Sequence, residues 1–502
     1  MKIKIALYIS FISLLPLLGC NDWLDVNTDP NNLSELDNPE AVLPVAQVGL
    51  ANALMGWHMG FTGAFWSQYW TQDHTSSQFK YLDEYDETSL DYAYDNLVPS
   101  ALNDLKAIKD NSEEGSGNYL VAEALSIFGW QIVTDTWGDI PYFNALLGNE
   151  GNFSPAFDAQ EDIYEDLMAR VDALLEMDFS EALIDSDYDF IYQGDVDAWL
   201  AFVKSLKLKL MIRLSETPNF NLQDAVALAS SGGFISETAM IPGSVWEDRD
   251  TKRHPMVEFH RAGYFDNVIA SMTMIRFLTT NNDPRIDLLY IAPGEEHQGA
   301  LQGDFGVQNI DTDGDGTDDD EEDYSIVQFD VDADIPLMST WEVNFYLAEV
   351  YARANDPRAK VFYDAAVEEN LTYWGIGETI TGEGQYAEWP DGTVEENIRA
   401  IALQKWVAYN KLQHMEAFFE RNRTKYPAVN ELQVRTAAHR QELFNNFPVG
   451  DFIISVAGVG KLSGDVPSSP IYPNAVITRN TTKPQQKTSL AEDVWWDQKA
   501  GK

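Results

Sequence analysis

Cysteine is nearly absent: the 502 residues hold one, Cys20. A lone thiol permits no disulfide framework and no thiolate metal site, so stability must come from a hydrophobic core. Basic charge is scarce too, with 33 Lys and Arg against 81 Asp and Glu and a formal net charge of −48. Such a surface repels nucleic-acid phosphates and anionic lipid, which argues against nucleic-acid binding and against electrostatic attachment to a membrane. No long Pro/Ser/Gly-rich or charge-block linker interrupts Asn21 to Lys502. One large helical domain is therefore expected where length alone would allow several. Catalytic signatures are missing as well. The seven histidines show no H-E-x-x-H spacing, and no G-x-S-x-G elbow occurs. Gly458-Val-Gly460-Lys461 misses the phosphate loop, because Leu462 stands where Ser or Thr would hold Mg²⁺.

The start of the chain does carry a signal. Lys2 and Lys4 precede an apolar run, Ile5 to Leu18, too short and wrongly flanked for a transmembrane helix. Leu17-Leu18-Gly19-Cys20 has the form of a lipobox. Residues 1–19 then read as a lipoprotein signal peptide, Cys20 as the lipidated first residue, 20–38 as a polar tether and 39–502 as the folded domain.

Helical periodicity dominates the rest. A run from Tyr119 to Val133 must turn within Thr134–Tyr142, because Gly138 is too free and Pro141 lacks an N–H. A second helix is expected from Glu161, with Asp158 and Glu161 spaced as a capping box and Ile163, Leu167, Val171 and Leu174 forming a stripe. A third, Val196 to Ser215, aligns Trp199, Val203, Leu206, Leu210 and Leu214. Pro336 to Trp374 reads as an antiparallel helix pair broken at Asn355-Asp-Pro357, similar to a tetratricopeptide hairpin. Thr393 and Glu396 form another capping box, opening a long helix through Trp406 that continues into Glu416–Pro427. A helix is also expected from about Asn267 to Leu278. The fold class is mainly α, with long loop insertions and little β. Asp135 and Asp139, beside the turn, read as turn and cap residues rather than an acid–base pair.

Two patterns suggest ligands. Asp311-Thr-Asp-Gly-Asp-Gly-Thr-Asp-Asp-Asp-Glu-Glu322 matches the twelve-position Ca²⁺ loop. Asp311, Asp313 and Asp315 fall at positions 1, 3 and 5, Thr317 offers its carbonyl, and Asp319 and Glu322 take positions 9 and 12. A hard cation needs several oxygens on a loop that folds back, and this spacing supplies them, although a solvated acidic loop has the same composition. The second pattern is aromatic. Trp57, Phe61, Phe65 and Tyr69 have the spacing of a buried helix stripe, but Trp70, Phe79, Tyr81 and Tyr85 accompany the polar stretch Gln72 to Glu87, where the periodicity fails and a surface is expected. Sugars present C–H faces ringed by hydroxyls, which aromatic planes and polar side chains match. Trp70, Gln72, Asp73, Tyr81 and Tyr85 have that composition and are expected at a surface, with Trp246 and Tyr264 as further candidates.

The strings TDTWGDIPY (134–142), SPAFDAQEDIYEDL (154–167) and YQGDVDAWLAFVKSLKLKLMIRLS (192–215), with Asn282-Asp-Pro-Arg285 and Gln404-Lys-Trp406, resemble the SusD-like outer-membrane lipoproteins of Bacteroidetes glycan-uptake systems, especially the SusD-like_2 branch. The resemblance implies a scaffold of tetratricopeptide-like helix pairs and a lipid-anchored, non-enzymatic protein on the cell surface. Such a protein captures an oligosaccharide and passes it to a TonB-dependent, SusC-like transporter, without an organic cofactor. A relative specialised for peptides and a secreted glycan hydrolase are the alternatives.

Overall fold

The computed structural model describes residues 38–263, 267–305 and 323–499. About 49% of the chain is helical. Eight helices carry the scaffold: α1 (Leu43–Leu54), α2 (Gly117–Trp137), α3 (Gln160–Glu176), α4 (Val196–Arg213), α5 (Thr340–Arg353), α6 (Arg358–Tyr373), α7 (Val394–Tyr409) and α8 (His414–Thr424). The expected mainly-α class is what the structure has. Among the described residues, strands form three two-stranded sheets. Antiparallel pairs join β1 (Trp70–Gln72) to β3 (Val268–Ala270) and β2 (Ala239–Ile241) to β4 (Ile335–Met338), while β5 (Ala428–Val429) and β6 (Asp451–Phe452) run parallel.

Helix α2 is central. Its residues from Leu120 to Trp137 are all buried, so it shows no polar face, as a helix enclosed on every side should. Ser116 caps it, its hydroxyl accepting from the Tyr119 N–H, and Gly138 ends it at φ +81°, a backbone state that suits glycine. One apolar cluster then runs without interruption from Leu43 to Trp496.

Three sequence-based expectations are corrected. The helix expected from Asn267 is strand β3, which pairs with β1; helix begins only at Met272, where the Ser271 hydroxyl accepts from Thr273. Asp158 does not cap α3. Its carboxylate takes the N–H groups of Tyr142 and Phe143 at 2.9 Å each, and Asp139 from across the Ile140–Asp158 bridge takes the Gln160 N–H at 2.9 Å. The long helix expected through Trp406 is two helices, α7 and α8. Lys411 between them sits at φ +66°, and Asn410 donates to the Tyr290 hydroxyl at 2.9 Å, fixing the turn by a tertiary contact that no local pattern announces. The Thr393–Glu396 capping box and the α5–α6 pair stand as expected.

Where α2, α4, α5, α7 and α8 meet, the core holds charge. Arg213 donates to Asp135 at 3.0 Å, to Glu420 at 2.7 Å and to Glu416, while Lys209 holds Glu342 at 2.8 Å and Glu416 at 2.9 Å. Arg423 bridges Glu349 and Glu420, and Lys405 closes on Glu420. All of these side chains are at most 5% exposed. Burial opposes every one of the charges, yet the adjacent cations hold Glu349 and Glu416 down to about 2. A network paired this fully sets the relative positions of five helices, and through them of the loops at their ends.

Candidate functional site

The loops that follow α1 build an aromatic shelf. Residues Trp57–Phe61 form a wide turn that leads into the helix Thr62–Trp66, then strand β1. Strand β1 is buried on both faces and pinned to β3, so the chain leaving Gln72 is held in place. Gln72 arranges the next loop: its amide donates to the Asn267 carbonyl at 2.8 Å, and its carbonyl accepts from the Phe79 N–H at 2.6 Å. Asp73 accepts from the Thr75 N–H at 2.7 Å, an Asx turn. Beneath the loop, the buried Asp83 takes hydrogen bonds from Thr71, from the Gln72 N–H and from Gln302. Burial nonetheless pushes its carboxyl up to about 7, the hydrogen bonds offsetting only part of that cost.

Above this base the rings gather. Trp57 meets Phe79 edge-on at 6.2 Å and Phe259 at 5.7 Å; His58 lies 5.8 Å from Trp57 and 5.6 Å from Tyr92. Phe259 belongs to the helix Pro255–Arg261, capped by the imidazole of His254, which accepts from the Met256 N–H. Tyr92 is 60% exposed, and Trp57, His58, Tyr81 and Phe259 are half-buried. Burial lowers the His58 pKa against the opposing pull of Asp91, favouring a neutral ring. Burial also raises that of Tyr81, so its hydroxyl stays protonated. The shelf therefore offers ring faces, a phenol and a neutral imidazole. Lys80, the residue before Tyr81, covers the Phe305 ring at 4.6 Å. This set suits non-covalent contact with a polyhydroxylated surface.

The expectation of surface placement is corrected for five residues, of which Phe79 is fully buried against Phe61 at 4.7 Å. Trp70 is fully buried, packed edge-on against Phe61 at 5.5 Å and His414 at 4.8 Å. Gln72 is buried with its amide committed to the loop. Tyr85 is buried, and its hydroxyl accepts from the Ser455 N–H at 3.1 Å. Trp246 is buried against His254, whose ring stacks on Phe329. The loss of helical period marked strand β1 followed by turns and a one-turn helix, Lys80–Asp83, rather than exposure, and long-range contacts covered the rings. Asp73 and Tyr81 do reach the half-exposed surface. Tyr264 lies outside the described residues, as do Cys20, the tether and the loop ligands Asp311, Asp313, Asp315, Thr317, Asp319 and Glu322. His58, Tyr92 and Phe259 were missed. Trp57 was read as core, although it opens its stripe and a terminal stripe position is where burial ends. Among the described residues, no group of three or more His, Cys, Asp or Glu is placed to hold a metal, and no helix is long and apolar enough to cross a membrane.

Comparison with known proteins is consistent across sequence and structure. The SusD-like_2 model, described as starch-binding associating with outer membrane, matches residues 30–444. No curated protein matches the chain. A SusD homolog from Bacteroides uniformis is similar at TM-score 0.69 and 20% identity, covering 91% of this chain and 99% of that one. One from Bacteroides thetaiotaomicron gives 0.69 and 19%, covering 92% and 100%. A chitin-binding SusD homolog from Flavobacterium johnsoniae gives 0.68 and 18%, covering 91% and 98%.

Proposed function

The chain belongs to the SusD-like_2 family, and from that membership we propose that it is a lipid-anchored cell-surface protein that binds oligosaccharide without chemical turnover. The observation that carries the proposal is the shelf of Trp57, His58, Tyr92 and Phe259, whose rings lie within 6 Å of a neighbour and are half-buried or exposed, with the half-buried Tyr81 hydrogen-bonded to Trp57. The family's starch-binding character and the similar fold of a chitin-binding SusD homolog support a glycan as ligand. Delivery to a TonB-dependent, SusC-like transporter is part of the proposal and is supported by family membership alone. So is anchoring through Cys20, for which the Leu17–Cys20 motif is the support. The acidic loop at Asp311–Glu322 is proposed to take Ca²⁺ in a structural role, the support being its ligand spacing.

A glycan array probed with the chain lacking residues 1–20, alone and as Trp57→Ala with Tyr92→Ala, tests the reading. Retention of α- or β-glucan-type oligosaccharides that the double variant loses is expected. Retention of oligopeptides only would move the ligand class, and release of shortened glycan would replace binding by hydrolysis.

A further inference from the structure

Helices α3 and α4, with the helix Leu222–Ser231, enclose a groove of about 530 Å³ that contains no shelf residue. Its volume falls in the size range of ligand sites. The floor is apolar and reaches solvent: Met168, Met211, Leu214, Phe220 and Trp495 are all half-buried. Trp495 is held there by its neighbours. Val494 and Trp496 are buried, and the Trp496 indole donates to Asp135 at 2.8 Å, so the backbone is pinned while the Trp495 ring lies 6.2 Å from that of Tyr164 at the groove wall. The rim is acidic. On α3, Glu161, Glu165, Met168 and Asp172 fall at i, i+4, i+7 and i+11 and share one face, and Asp224 joins them from the helix Leu222–Ser231. Like charges at Glu161 and Glu165 repel along the helix, a strain that a bound cation relieves.

Charge identifies the occupant. Among the described residues that line the groove there is no Lys, Arg or His. Lys207 offsets Asp172, while Arg353, 5.9 Å from the Phe220 ring, is committed to Glu349 at 2.8 Å and to Glu216. Glu161 takes the Asn219 amide at 2.9 Å and Asp224 that of Asn221 at 2.7 Å, neutral donors that leave both charges in place. Glu165 is exposed. No three acids among the described residues converge as a metal site, so the rim suits positive charge spread along a chain. A sugar would set its hydroxyls against two thioethers and Leu214 without partners. Aliphatic and aromatic side chains fill such a floor, and methionines adapt to their shape. Neither the tether 21–37 nor the segment 306–322 carries a Lys or Arg, and a second copy of a chain at −48 is repelled. We propose that the groove docks a basic amphipathic segment of another protein, its apolar residues on the floor and its Lys or Arg side chains on the rim. The inference does not depend on what the shelf binds.

Fluorescence polarisation with a fluorescein-labelled Lys-Leu-Lys-Lys-Leu-Leu-Lys peptide tests the docking. The protein should bind this probe and leave its Glu-Leu-Glu-Glu-Leu-Leu-Glu counterpart free. Phe220→Ala with Met211→Ala keeps every charge and should weaken binding about tenfold, because a few apolar anchors carry most of such an interface. Glu165→Gln with Asp224→Asn changes only exposed positions, where the fold should survive, and should weaken binding about fivefold. Trp57→Ala with Tyr92→Ala should leave the affinity unchanged. No binding of the Lys-Leu probe by the unaltered protein refutes the docking. Equal binding by the unaltered protein and both groove variants refutes it as well, since general attraction to a chain of charge −48 then accounts for the signal. Tighter binding of a glucosamine oligomer, lost in the same variants, would give the groove to an amino sugar and overturn the proposal.

Discussion

Replacing Arg213 with methionine tests whether the buried charges hold the scaffold together. Arg213 reaches three carboxylates, and its removal does not orphan them equally. Glu416 keeps Lys209 at 2.9 Å, and Glu420 keeps Lys405 and Arg423. Asp135 loses its guanidinium partner and keeps neutral donors: the Trp496 indole at 2.8 Å, the Tyr164 hydroxyl at 2.5 Å and the Gln131 amide. Breaking a buried pair by deleting one partner costs roughly 3–5 kcal/mol, because an uncompensated charge remains. Loss of the guanidinium from between the Phe419 and Trp496 rings, at 5.4 and 5.3 Å, adds to the packing defect. Urea unfolding at pH 7, followed by tryptophan fluorescence, should show a fall of that size. The double variant Arg213→Met with Asp135→Asn should recover about 1 kcal/mol or more, since neither partner is then charged. The pH dependence has a definite sign. Burial already pushes the Asp135 pKa up, and without Arg213 it rises further above its unfolded value of about 3.9. The penalty is then full above the folded pKa and shrinks as pH falls toward the unfolded one. A loss under about 1 kcal/mol at pH 7, with no dependence on Asp135, would refute the claim that these charges are buried and coupled.

Four further outcomes are expected, three from the structure and the last from the spacing of Asp311–Glu322 in the sequence. Glu349 and Glu416 are held at about 2 by Arg423, Arg213 and Lys209, below an unfolded value of about 4.3. Their stabilisation is therefore present above that unfolded value and lost as pH falls through 2, so circular dichroism should show acid unfolding within this window. Thr393→Ala removes the capping box of α7 and should cost about 0.5–2 kcal/mol by urea titration. A Cβ at Gly63 would sit 2.6 Å from the His414 backbone, so Gly63→Ala should force the helix Thr62–Trp66 off α8 and lower stability by roughly 1–3 kcal/mol. Millimolar Ca²⁺ should raise the thermal midpoint, and Asp311→Ala with Asp313→Ala should abolish that shift while leaving the Ca²⁺-free midpoint unchanged.

How much was legible depended on the range of the interaction. Local signals were read well: the break at Gly138, the Thr393–Glu396 cap, and the α5–α6 hairpin around Pro357 all depend on neighbouring residues. Long-range pairing was not. Nothing in Val268–Ala270 distinguishes a strand from the first turn of a helix until β1 lies beside it, and nothing in Asp135 announces Arg213, 78 positions away. The candidate site suffered from the same blindness. Trp70 and Tyr85 were selected because polar neighbours surrounded them in sequence, yet His414 and Ser455, several hundred residues later, cover them. Asp73 and Tyr81 are half-exposed as expected, on a loop that Gln72 closes from within.

The account's central claim is that the ring shelf grips sugar without cutting it. Affinity electrophoresis of the chain lacking residues 1–20, run through gels cast with starch or soluble chitin, measures this directly. Retarded migration in at least one gel, restored to free mobility by Trp57→Ala with Tyr92→Ala, is the predicted result. Equal mobility of the two proteins in every gel, or a cleared track of digested polysaccharide behind the band, would contradict it.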